Sequence, residues 1–169
     1  MRHIHALLDG GSPMRRSWAP YALTAAAVTA CAVAGAKAVD ADSAWYRGLD
    51  KPPWQPPPWT FGAVWTPLYA SIAWSGGRAL GRARAGERRV LAGSLGVNLA
   101  LNAAWNWAFF ARRSPWGGVL GTLVLDMSNA ELIRRTRRID TTAAKGLLPY
   151  AGWCLFATAL NVSIARRNR

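Results

Sequence analysis

Stretches free of charge, each long enough to cross a bilayer, alternate along this chain with short runs dense in arginine. No charged residue falls between Trp18 and Ala36, between Pro52 and Gly77, between Val90 and Ala111, or between Gly146 and Ala165. At about 1.5 Å of rise per residue, a helix of some twenty residues spans a hydrocarbon core of about 30 Å. A fifth stretch, Pro115 to Ile133, is interrupted by Asp126, Asn129 and Glu131. A carboxylate in lipid costs a few kcal/mol unless it faces protein or water, so either this helix faces a wet interior or its ends lie elsewhere. The pattern predicts an all-α fold: an integral membrane bundle of five transmembrane helices, with spans near 18–36, 60–79, 90–111, 115–133 and 146–165. Residues 1–17 form a polar tail and 166–169 a basic one. Arg15-Arg16 before the first run and small residues at its end resemble a signal peptide, but its length suits a span better.

The segment 40–59 breaks this rhythm. Lys51-Pro52-Pro53-Trp54-Gln55-Pro56-Pro57-Pro58-Trp59 excludes helix, because proline lacks an amide donor and restricts the residue before it. A stiff extended segment carrying Trp45, Tyr46, Trp54 and Trp59 is expected to lie over the helix ends as a lid.

Helical spacing sorts the aromatic and amide residues into faces. Phe61, Trp65, Tyr69 and Ile72 share one side of the second span, and Asn98, Asn102, Trp105, Asn106 and Phe109 one side of the third. Tyr150, Trp153, Ala157 and Asn161 share a side of the fifth. Asparagines are costly against lipid. Three such faces therefore converge on a pocket suited to a flat, largely apolar ligand with polar edges. Trp18, Tyr21 and Trp116, at span ends, read as interfacial anchors. Ala92, Gly96, Ala100 and Ala104 make a stripe of small residues that permits close helix approach, within the fold or across a dimer; Gly117 with Gly121, and Ala26, Ala30 and Ala34, are shorter versions.

Composition narrows the function. The chain is 51% hydrophobic, yet its net charge is +13. In a soluble domain that charge would point to nucleic acid, but the arginines flank apolar runs, where anionic headgroups are the expected partner and nucleic acid is not. Their distribution favours the N-terminus inside and the lid outside. Cys31 and Cys154 sit within apolar stretches as packing residues, and His3 and His5 lack further ligands nearby for a metal. There is no phosphate-binding loop, nucleophile elbow or zinc-protease helix, so ordinary hydrolytic or transfer catalysis has no visible machinery. No span holds a histidine, which leaves stacking, or Cys154 as a thiolate, to hold any haem or porphyrin.

The sequence Trp45-Tyr46-x-x-Leu49-x-Lys51-Pro52-x-Trp54-x-Pro56-Pro57, followed by Phe61, Val64-Trp65 and Leu68-Tyr69, resembles the signature of the TspO/MBR family. Asn102-x-x-Trp105 with Phe109-Phe110, and Pro149-Tyr150-x-x-Trp153-x-x-Phe156-Ala157-x-x-Leu160-Asn161, are similar to that family's third and fifth helices. The resemblance implies a five-helix membrane protein, usually dimeric, whose pocket beneath the first loop binds porphyrins such as protoporphyrin IX and haem, sterols, and benzodiazepine-type drugs. It implies pocket positions at Trp54, Trp65, Tyr69, Asn102, Trp105, Trp153 and Ala157, with Trp45 and Trp59 from the loop, and a dimer face on the third helix. Phe61 and Asn161 join them by sharing the helical faces of the second and fifth spans. The expected function is a membrane receptor, sensor or carrier for tetrapyrroles, multi-pass in a membrane that for a prokaryotic member is the plasma membrane, with no obligatory cofactor. The alternatives are light- or oxygen-dependent breakdown of bound protoporphyrin with Trp54 and Trp153 as radical-forming side chains, and a small-molecule transporter. The C-terminal run Leu160-Asn161-Val162-Ser163-Ile164-Ala165-Arg166 lacks the tyrosine of the animal sterol-recognition pattern, which argues against sterol binding.

Overall fold

The computed structural model describes residues 13–169, with side chains from Trp18 onward. His3, His5 and most of the predicted polar tail lie outside the described residues. Among the described residues every regular element is helical: α1 (Pro13–Ala36), α2 (Ala44–Gly48), α3 (Pro58–Arg82), α4 (Ala85–Asn106) running on into a π-helical turn (Trp107–Ala111), α5 (Pro115–Ile139), α6 (Thr141–Gly146) and α7 (Leu148–Arg167).

Local chemistry sets these boundaries. Pro58 and Pro115 stand at the first turns of α3 and α5, where a missing N–H costs nothing. The Ser114 hydroxyl caps α5 by accepting from the Gly117 amide at 2.9 Å. α5 outruns the charge-free window and ends at Ile139 rather than near 133. Glu131 pairs with Arg134 and Arg135 one turn on, and Arg137 and Arg138 sit in the last turn, where cations favour the helix dipole. α7 begins at Leu148, two residues after the expected start of the last span, and Asp140 starts the separate turn α6 ahead of it by accepting from the Ala143 amide at 2.8 Å. α1 begins at Pro13, inside the expected tail.

The five long helices run up and down. α1 lies antiparallel to α3, with the Thr24 hydroxyl donating to the Ala73 carbonyl at 2.8 Å, and a Cβ on Gly77 would come within 2.5 Å of the Tyr21 ring. The glycine is what lets the two backbones meet there. α1 runs parallel to α4, where the Cys31 thiol donates to the Leu99 carbonyl and the Trp107 indole N–H to the Ala34 carbonyl. α5 packs between α4 and α7. Ile72, Leu91, Leu95, Leu99, Leu125, Leu132, Leu147 and Cys154 fill the interior.

By length and composition, α1 and the α6–α7 segment are apolar enough to cross a membrane. The others turn polar side chains inward: Asn98, Asn102, Thr122 and Asn129 are buried, while Leu23, Val33, Val97, Leu120, Leu123, Met127 and Leu155 stand exposed around the outside. This inversion of a soluble protein's pattern is what a lipid solvent demands.

The lid is more than a cover. α2 precedes the prolines, capped by the Ser43 hydroxyl accepting from the Tyr46 amide, and the Lys51 ammonium donates to the Tyr46 carbonyl at the other end. Asp50 is tied to the end of α7: its amide donates to the Asn168 side-chain oxygen at 2.9 Å, and its carbonyl accepts from Asn168 Nδ2 at 2.9 Å. Trp54 then packs edge-on against Phe156. Residue 168 to residue 156 is roughly 18 Å along a helix, so the proline strap descends the flank of α7 instead of lying flat across the helix ends.

Candidate functional site

The lid end of the bundle encloses a cavity of about 580 Å³. Phe61, Trp65 and Tyr69 enter it from α3, spaced one turn apart as the helical period requires. α4 supplies Trp105 and Asn106, and the π turn Phe109 and Phe110. α7 supplies Leu160, Asn161 and Ile164, α1 Ala32 and Ala36, and the lid Val39, Ala41 and Tyr46. None of these side chains is charged.

The π turn shapes the aromatic wall. Arg112 N–H bonds to the Trp107 carbonyl and Ser114 N–H to the Phe109 carbonyl, each five residues back. This wider turn brings Phe109 and Phe110 to the same cavity as Trp105, with Trp105 and Phe109 stacked at 6.1 Å and Phe109 edge-on to Phe110 at 4.9 Å. The lid docks on this wall: Trp45 meets Phe109 edge-on at 5.5 Å, and Tyr46 lies 5.3 Å from Phe110. Gln55 donates to the Tyr46 hydroxyl at 3.3 Å. Burial pushes the Tyr46 phenol above its ordinary value despite that bond, so it stays a neutral hydroxyl at neutral pH.

Beneath the cavity a hydrogen-bonded chain crosses four helices. The Tyr69 hydroxyl donates to Asn102 Oδ1 at 3.3 Å, and Asn102 Nδ2 donates to the Tyr150 hydroxyl at 3.1 Å. Tyr150 donates onward to Asn98 Oδ1 at 3.1 Å, and Asn98 Nδ2 to Asn129 Oδ1 at 2.7 Å. Tyr150, Asn98 and Asn102 are almost wholly buried. The chain ends at Asn129, whose Nδ2 is buried without a partner among the described residues; at its other end the bond to Asn102 holds Tyr69 beneath Trp65, whose ring stacks on it at 5.0 Å.

The predicted residues divide accordingly. Phe61, Trp65, Tyr69, Trp105 and Asn161 line the cavity. Asn161 does so with its amide turned aside, Nδ2 donating to the Ala157 carbonyl and Oδ1 packed against Gly118 of α5. Asn102 belongs to the chain below, because both faces of its amide are used by tyrosines. Trp153 stands behind Phe61, edge-on at 6.0 Å, and Trp45 behind Phe109. Trp54 rests on the flank of α7, and Trp59 is 73% exposed, on the outside of α3. Ala157, half-buried, is not among the lining residues. Leu160 and Ile164, which continue the Tyr150–Asn161 face by helical steps, could have been found from spacing; Tyr46 and Phe110 depend on the lid docking and the π turn. The stripe Ala92, Gly96, Ala100 and Ala104 lies exposed along α4, whereas Gly117 and Gly121 pack inside the fold against Ser114 and Trp105.

A model of the TspO/MBR family matches residues 22–167. Among curated proteins the chain is similar to Protein CrtK of Rhodobacter capsulatus, 36% identical over 82% of this chain and 88% of that protein. It is 33% identical to the human Translocator protein over 73% of this chain and 75% of that one. With the Tryptophan-rich sensory protein of Cereibacter sphaeroides it shares 29% identity over 92% of this chain and 95% of that one.

Proposed function

The chain belongs to the TspO/MBR family, and from that premise we propose that it is a membrane receptor or carrier that takes a tetrapyrrole such as protoporphyrin IX, or a similar flat apolar ligand, into the cavity beneath its lid. The observation carrying this reading is the cavity itself: its volume of about 580 Å³ falls within the roughly 300–1,000 Å³ of small-molecule sites, and its walls are aromatic and uncharged. Indole and phenyl faces of Trp65, Trp105, Phe109 and Phe110 suit a flat π system. With no histidine among the described lining residues, stacking rather than axial ligation holds the ring. The acidic edges of a porphyrin belong at the mouth, where Lys37 follows the last lining residue of α1. The protein spans a membrane, the plasma membrane if its host is prokaryotic, with its N-terminus inside, and pairs with a second copy along the exposed α4 stripe.

Oxidative breakdown of a bound porphyrin by Trp54 and Trp153 has less support, since neither side chain lines the cavity and Phe61 stands in front of Trp153. Titration of the purified protein with protoporphyrin IX, followed by tryptophan fluorescence, tests the binding reading. Saturable quenching is expected, with Trp65→Ala and Trp105→Ala each weakening affinity about tenfold, from the stacking and apolar area each supplies. Trp59→Ala leaves affinity unchanged. Unsaturable quenching, or equal effects of all three substitutions, contradicts it.

A further inference from the structure

α1 leaves α3 partway along the bundle. In its first half it grips α3, through Thr24 on the Ala73 carbonyl and Tyr21 against Gly77. In its second half it turns to α4, through Cys31 on the Leu99 carbonyl, Gly35 against Asn106 and Ala34 on the Trp107 indole. Between the diverging halves the cavity wall changes character. On α4, on α7 and at Phe61, Trp65 and Tyr69 of α3 it is bulky and at least half-buried; at the seam between α1 and α3 it is Ala36, Gly62 and Thr66, all exposed, and among the described residues a Cβ on Gly62 would meet nothing within 4 Å. The top, by contrast, is shut by Trp45 on Phe109, Tyr46 on Phe110 and the paired bonds of Asp50 with Asn168.

The height of the side opening decides what it faces. Arg78, bonded to Asp140, marks the basic end of α3. At about 1.5 Å per residue, Thr66 and Gly62 lie roughly 18 Å and 24 Å from it, inside a hydrocarbon core about 30 Å thick and in its lid-side half. We infer that the gap between the second half of α1 and the first half of α3 is a portal to the bilayer, through which ligand dissolved in the lid-side leaflet enters the cavity, while the lid stays closed. This rests on the ligand reading above. It makes the class of ligand a lipid-partitioned one, delivered sideways and not from water, and gives the small residues at Ala36 and Gly62 the task of keeping the portal clear.

Two readouts test it. A nitroxide on Thr66→Cys, in bilayers without ligand, is relaxed more strongly by oxygen than by a water-soluble nickel chelate; the reverse makes the gap an aqueous mouth and overturns the portal. In nanodiscs preloaded with protoporphyrin IX, Gly62→Trp slows both filling and emptying of the site at least tenfold, with Ala36→Trp as the second variant should the first fail to fold. Asn168→Ala, which unties the lid, leaves both rates unchanged. Wild-type filling rates in the tryptophan variants, or faster filling in Asn168→Ala, overturn the portal. Absence of porphyrin binding by the wild type refutes the ligand reading instead, and the nitroxide result then decides the portal alone.

Discussion

At the scale of single residues, the polar chain is the most exacting feature of the bundle. Tyr150 both accepts from Asn102 and donates to Asn98, so Tyr150→Phe strands two buried amide groups at once. A buried group left unpaired costs about 1–3 kcal/mol, and the variant is expected to lose stability of that order, read as a lower unfolding temperature in detergent. Asp140 makes a prediction in pH. Burial works to raise its carboxyl, but the Ala143 amide and then the Arg78 and Arg82 guanidinium groups outweigh this and hold it below the ordinary carboxylate range. A carboxyl depressed in the folded state contributes stability at neutral pH that is lost as pH falls through the depressed value. Asp140→Ala should therefore lower the unfolding temperature at pH 7, with the loss of the α6 cap alone worth about 1 kcal/mol, and the gap between variant and wild type should close in strong acid. A gap independent of pH would mean that the charge contributes nothing.

At the scale of elements, α5 and the lid show what sequence patterning conveys and what it does not. The long helices are legible from the spacing of charge, because lipid excludes charge from most of a span. The end of α5 is not, because arginines beyond the hydrocarbon extend a helix as readily as they end a span. Of the polar residues that interrupt α5, Asn129 receives Asn98 and Asp126 receives the Thr158 hydroxyl of α7 at 2.6 Å, both inward, whereas Glu131 pairs with Arg134 and Arg135 at the surface. The faces of α3, α4 and α7 are legible from their period, yet period alone could not separate Trp65, which lines the cavity, from Trp153, which stands behind Phe61. That division depends on where the strap and the π turn place neighbouring rings. The α5–α7 contact yields its own test. A Cβ on Gly118 would lie 2.6 Å from the Phe109 ring and closer still to Asn161 Oδ1, so Gly118→Ala is expected to cost about 1–3 kcal/mol as overpacking and to weaken porphyrin binding by displacing both lining residues. Retention of wild-type stability and affinity would show that the contact yields without strain.

At the scale of the whole molecule, the bundle has two unlike ends and two unlike faces. One end carries the lid and the aromatic cavity, the other the arginines of α3, α4 and α5. One face opens between α1 and α3, and α4 presents its small residues outward. Gly96→Phe, which places bulk on that stripe where a Cβ meets nothing within 4 Å among the described residues, should shift cross-linked or sedimenting species toward monomer while leaving the fold intact; an unchanged dimer would move the interface elsewhere. Manganese(III) protoporphyrin IX offers the most direct test of the cavity as the binding site, because its paramagnetism broadens the signals of nearby methyl groups. In methyl-labelled protein, Val39, Leu160 and Ile164, which line the cavity, are expected to broaden first and saturably, while Leu120 and Leu123 on the exposed face of α5 remain sharp. Broadening confined to the outward-facing methyls, or equal on both sets, would contradict a porphyrin site beneath the lid.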